Sequence, residues 1–196
     1  MTGDLTPLFA ALEARRPTDP MPVLFVGHGN PMNAIEDTVF STAWDALGAR
    51  LPRPDAILCI SAHWLTPGET RVSVTNQPKT IHDFSGFPYP LFEQQYPAPG
   101  APMVARQVVD MVDARGVLAD GQWGLDHGAW SVLMRMFPDA DIPVFQLSLD
   151  DQMAADAHYQ LARQLKPLRE KGVLLLGSGN LVHNLKAMRR DGPPYD

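Results

Sequence analysis

The stretch Pro22-Val23-Leu24-Phe25-Val26-Gly27-His28-Gly29-Asn30 decides the fold class. Residues 22–26 form an unbroken apolar run closed by a glycine, the pattern of a strand buried on both faces. Such strands belong to parallel sheets covered by helices. Two further runs repeat it, Asp55-Ala56-Ile57-Leu58-Cys59-Ile60-Ser61 and Val173-Leu174-Leu175-Leu176, and residues 142–148 supply another strand. Residues 70–75 alternate as a half-exposed strand does. Helical patterns lie between them, over 5–14, 33–50, 101–115, 129–137, 152–169 and 180–190. In the second of these, Ile35, Val39, Trp44 and Leu47 fall near one stripe, and Gly116 is placed to close the third. Strands alternating with helices predict a single α/β domain over residues 1–196, its mostly parallel sheet flanked by helices.

Composition narrows the function classes. With 45% hydrophobic and 19% charged residues, the chain reads as an ordinary globular protein. Its formal net charge of −6, without a Lys/Arg cluster, predicts no nucleic-acid partner and no anionic membrane surface. No apolar stretch is long enough to span a bilayer, and Met1-Thr2-Gly3-Asp4 carries no secretory pattern. The single cysteine, Cys59, excludes a disulfide framework, reads as a buried inert thiol, and fits a cytoplasmic location. The 19 prolines are about twice the ordinary share of ~5%. Several of them stiffen the segment 76–100, which reads as a long loop.

The chemistry is carried by histidines. His28 follows the first strand, His63 follows Ile60-Ser61-Ala62, and His183 follows Gly177-Ser178-Gly179-Asn180-Leu181-Val182. In an open α/β sheet, ligands bind beyond the carboxyl ends of the strands. Three strands thus deliver an imidazole to one edge, and neutral imidazole is a ligand for Zn, Fe, Cu and Ni. The wide spacing excludes a zinc finger and suits a catalytic metal assembled from loops. His127, in Leu125-Asp126-His127-Gly128, precedes a helix that Asp126 is placed to cap, and it suits an acid/base role. His82 lies in the proline-rich loop, and His158 falls mid-helix and reads as surface. The Gly177-Ser178-Gly179-Asn180 segment reads as a tight turn that lets His183 approach, not as a phosphate loop.

Five segments together resemble a known family. They are residues 25–32 (FVGHGNPM), 60–64 (ISAHW), 81–88 (IHDFSGFP), 124–130 (GLDHGAW) and 177–185 (GSGNLVHNL). They resemble the class III extradiol ring-cleavage dioxygenases with the LigB-like fold, in particular the DOPA 4,5-dioxygenase type. The resemblance implies one divalent metal ion, Fe(II) for ring cleavage or Zn(II) as described for bacterial members. It implies a small-molecule catechol and O2 as substrates. It implies His28, His63 and His183 as metal-site residues, His127 for proton transfer and His82 for substrate contact. It also implies a C-terminal part beyond residue 196 that supplies a further metal-site histidine.

Two other readings use the same residues. A zinc-dependent hydrolase would employ the metal to activate water, although no glutamate adjoins a candidate ligand. A non-catalytic scaffold on the same fold is the other, since fold alone does not fix function.

Overall fold

A computed structural model describes residues 19–112 and 116–180. The expected helices over 5–14 and 180–190, and His183, lie outside the described residues apart from Asn180. A four-stranded parallel sheet forms the centre, from β1 (Val23–Gly27), β2 (Ala56–Ser61), β6 (Val144–Gln146) and β8 (Val173–Gly179), in the order β1-β8-β2-β6. Two short parallel pairs stand beside it: β3 (Leu65–Thr66) with β7 (Leu149–Asp150), and β4 (Arg71–Ser73) with β5 (Leu118–Asp120).

The unbroken apolar runs of β2 and β8 have the expected cause, with alternate residues pointing into two separate cores. β1 departs from the expectation of two-sided burial: Leu24 and Val26 are buried, while Val23 and Phe25 on its other face are exposed. Ile57, Cys59, Leu174 and Leu176 join Trp44, Leu47, Trp130 and Leu133 from helices α1 (Val39–Arg50) and α4 (His127–Met136) on one face. Ala56, Leu58, Val173 and Leu175 join Ala105, Val108 and Leu161 from α3 (Pro102–Met111) and α5 (Ala155–Gln164) on the other. The α/β architecture with helices on both faces is therefore as the sequence predicts.

Several boundaries differ. The helix expected over 33–50 is two pieces, a 3-10 turn Pro31–Ala34 and α1, because Thr38 and Ser41 cap one another and start a new helix. Val39, expected on the apolar stripe, is exposed as a result. The helix expected over 101–115 ends at Met111 with Val112 as its cap, so Gly116 (φ 70°) stands beyond it. The pattern over 152–169 divides into α5 and a 3-10 segment, Lys166–Lys171, at Pro167. The loop 76–100 contains one short turn, α2 (Tyr89–Phe92). His158 is half-buried on α5 rather than at the surface. Gly177 and Gly179 continue β8 instead of turning, and a Cβ on Gly177 would lie 3.0 Å from the ring of Phe25 on β1.

Candidate metal centre

Strand register builds the site. Val26 and Ser61 both stand opposite Ser178, so the ends of β1, β8 and β2 are level at one edge of the sheet. His28 leaves β1 there and His63 leaves β2. The third imidazole among the described residues comes from His127, the first residue of α4. His28, His63 and His127 each offer a ligand atom within 4.8 Å of the others. The rings of His63 and His127 are packed with centroids 3.9 Å apart.

Hydrogen bonding fixes which nitrogen His28 presents. The Ser178 hydroxyl donates to the Gly128 carbonyl at 2.5 Å, since a carbonyl can only accept. Its Oγ is then the acceptor for the Nδ1–H of His28 at 3.0 Å. The lone pair of the His28 ring is then on Nε2, which lies 3.1 Å from the Nε2 of His63. Two lone pairs cannot face each other at that distance. Either His63 places a proton between them or a cation is shared. Two imidazoles binding one ion at about 2.0–2.1 Å have nitrogens about 3 Å apart when the angle at the ion is near 90–100°. The residues present therefore fit a single divalent metal.

A buried polar network supports the imidazoles. Asp126 is the N-cap of α4 and accepts from the Ala129 amide at 3.1 Å, as expected. Its carboxylate also accepts from the Ser61 hydroxyl at 2.6 Å and the Gln146 amide at 2.8 Å. Ser61 in turn accepts from the backbone N–H of His63 at 3.2 Å. Burial pushes the Asp126 carboxyl above its ordinary range, against the hydrogen bonds from Ser61 and Gln146. Gly128 is a glycine for space: a Cβ there would lie 2.4 Å from Ser61 Oγ and 3.0 Å from the His63 ring. Cys59 is fully buried, and burial raises its thiol well above the ordinary value, as an inert thiol requires.

Asp83 is the site residue that sequence reasoning missed. Its Oδ1 accepts from the backbone N–H of His127 at 2.9 Å. Its Oδ2 lies 3.0 Å from His127 Nδ1 and 3.5 Å from His63 Nδ1. The His127 ring N–H points off the line to that oxygen, so this is a close polar contact without the alignment of a directed hydrogen bond. Burial works upward on the Asp83 carboxyl, but the contacts from His127 outweigh it and hold it below the usual carboxylate value. No short motif spacing links Asp83 to His127; the only signal was its place beside His82 in the 81–88 segment.

His82 itself stands outside the three-histidine group. Its Nε2 lies 3.0 Å from the Gln94 carbonyl, and its ring is 5.6 Å from Trp130 and 5.8 Å from Phe84. Phe84 in turn meets His127 edge-on at 5.4 Å and packs against Phe87 and Phe92. An aromatic wall therefore runs from the His127 side of the cluster to His82.

The site stands on segments that other proteins share. Residues 22–194 match the family described as the catalytic LigB subunit of aromatic ring-opening dioxygenase. The chain is 48% identical over 178 residues to the 4,5-DOPA dioxygenase extradiol of Escherichia coli K12, covering 89% of this chain and 65% of that protein. It is 43% identical over 167 residues to the 4,5-DOPA dioxygenase extradiol of Beta vulgaris, covering 81% and 61%. The crystal structure of an uncharacterized protein, JW3007, from Escherichia coli K12 superposes with a TM-score of 0.73 and 43% identity, over 88% of this chain and 65% of that one. The chain thus spans 61–65% of the length of these relatives. The match takes in both histidine-bearing strand ends and the start of α4, and on that ground the chain belongs to the LigB family of aromatic ring-opening dioxygenases.

Proposed function

We propose that this protein takes part in extradiol cleavage of a catechol ring by O2, with a DOPA-like compound as the substrate class. The observation that carries the reading is the pair of Nε2 atoms of His28 and His63, 3.1 Å apart at the ends of two parallel strands. Family membership and the names of the relatives support it. His28 and His63 hold the metal, and His183 is proposed to complete the set. A redox-active divalent ion such as Fe(II) supplies open coordination positions and a route for electrons between a catechol and O2.

The protein's own groups supply the rest. His127 is the acid and base: its Nδ1 faces the Asp83 carboxylate, and Nε2 is the nitrogen left to exchange a proton with the substrate. The aromatic wall of Phe84, Phe87 and Phe92 offers a flat apolar surface for a ring, with His82 at its far end for substrate contact. Among the described residues no helix is long and apolar enough to cross a membrane, and a cytoplasmic site is part of the proposal.

The 4.8 Å grouping of His28, His63 and His127 favours one variation, in which His127 is a third ligand. The test is oxygen uptake. Protein loaded with Fe(II) without air, then given a catechol and O2, is expected to consume oxygen and form a yellow ring-opened product. Zinc-loaded protein is expected to do neither, because zinc has no accessible redox change. Stoichiometrically bound iron with no oxygen uptake across simple catechols and DOPA contradicts the proposal.

A further inference from the structure

We propose that Asp83 is a positioning residue for two histidines at once, tying His63 of the proposed metal pair to His127 as the proton carrier. The role rests on the ring-cleavage reading for its purpose but not for its geometry. Three contacts converge on one carboxylate. Oδ1 takes the His127 backbone N–H, which is one of the helix-start donors of α4 with no partner inside the helix. Oδ2 faces Nδ1 of both imidazoles, at 3.0 Å for His127 and 3.5 Å for His63. Its side chain is only 21% exposed, so water screens these contacts incompletely.

The consequence is a choice of nitrogen. A carboxylate facing Nδ1 favours the proton there in either neutral imidazole, which puts the ring's lone pair on Nε2. For His63, that is the nitrogen facing the Nε2 lone pair of His28, an arrangement satisfied by a shared cation and not by a proton from His63. For His127, it fixes which nitrogen is available for proton exchange. Ser178 does the same for His28 by a different device. All three imidazoles of the cluster are then set by acceptors on their Nδ1 side. Asp83 comes from the proline-rich loop, so that loop joins the two histidines to each other as well as forming the aromatic wall.

Asparagine is the informative substitution because it keeps the shape. A carboxylate accepts through both oxygens, whereas an amide has one oxygen and one NH2. In Asp83→Asn the amide oxygen can take the His127 backbone N–H or face the rings, but not both. Nitrogen NMR on isotope-labelled histidine at alkaline pH reads the His127 tautomer in metal-free protein. Competition titration with zinc reads the affinity of the cluster. In the wild type we expect His127 protonated on Nδ1. In Asp83→Asn we expect an Nε2-protonated population of His127 and a zinc affinity lower by about 10–100-fold, the range for groups that orient a ligand.

Wild-type His127 protonated on Nε2 overturns the proposal without any variant, so a variant that fails to fold does not protect it. Either readout unchanged in a folded Asp83→Asn protein overturns the double role. Neither measurement uses a catechol or O2. A protein that opens no ring while meeting both expectations supports Asp83's role and contradicts only the proposed reaction.

Discussion

Ser178 determines how His28 acts, because its hydroxyl has a single proton and the Gly128 carbonyl takes it. Ser178→Ala removes the acceptor for the Nδ1–H of His28. The expected outcome is a folded protein whose metal affinity is lower by roughly 10–100-fold, read by competition titration. An unchanged affinity would mean that another group sets the His28 tautomer. His28→Ala and His63→Ala each remove a proposed ligand and are expected to abolish stoichiometric metal binding. His127→Ala is expected to keep the metal and lose turnover by about 10²–10⁴-fold, the range for acid/base catalysis. Loss of the metal in that variant would make His127 a third ligand instead. These residues differ in how far the sequence revealed them. His28 and His63 were visible because each follows an apolar strand run, and strand direction carries both to one edge. Asp83 was not, because its partner His127 is 44 positions away and the turn of the loop that joins them is set by packing, not by a local motif.

Between elements, α1 and α4 meet at Gly48, where a Cβ would lie 2.1 Å from the Met136 carbonyl. Helix propensity alone favours alanine there by about 0.5–1 kcal/mol. Overpacking against backbone costs about 1–3 kcal/mol and wins. Gly48→Ala is therefore expected to lower the denaturation midpoint; a raised midpoint would show that the two helices can part without cost. Their contact matters for the site because α4 carries His127 at its first turn. Arg135 on α4 closes the same junction, reaching Asp45 of α1 through two hydrogen bonds of 3.0 and 2.7 Å. β2 and β8 were legible because two-sided burial leaves an apolar run of a few residues, whereas β1 shows the same run with Val23 and Phe25 exposed. The break before α1 was less so, since apolar periodicity passes through residues 35–38 and only the paired Thr38 and Ser41 side chains stop it.

At the scale of the molecule, acid tests a peripheral tie. Asp120 on β5 meets Arg71 on β4 at 3.1 Å and accepts from the backbone N–H groups of Gln122 and Trp123. Burial acts upward on its carboxyl, but those hydrogen bonds and Arg71 lower it overall. A carboxyl lowered on folding contributes stability above its unfolded value of about 3.9, and that contribution is lost as pH falls through the folded value. The stability difference between wild type and Asp120→Asn is thus expected to be largest near neutrality and to shrink below about pH 4. A gap that stays constant with pH would assign the role of Asp120 to shape instead of charge.

The strand-end histidines are proposed to serve a reaction between an aromatic ring and O2. A single turnover of iron-loaded protein with a catechol under isotopically labelled O2 tests it most directly. Ring cleavage predicts that the new carboxylate of the product carries an oxygen atom from the gas. A product whose new oxygen comes only from solvent water would contradict the claim and make the cluster a hydrolytic centre.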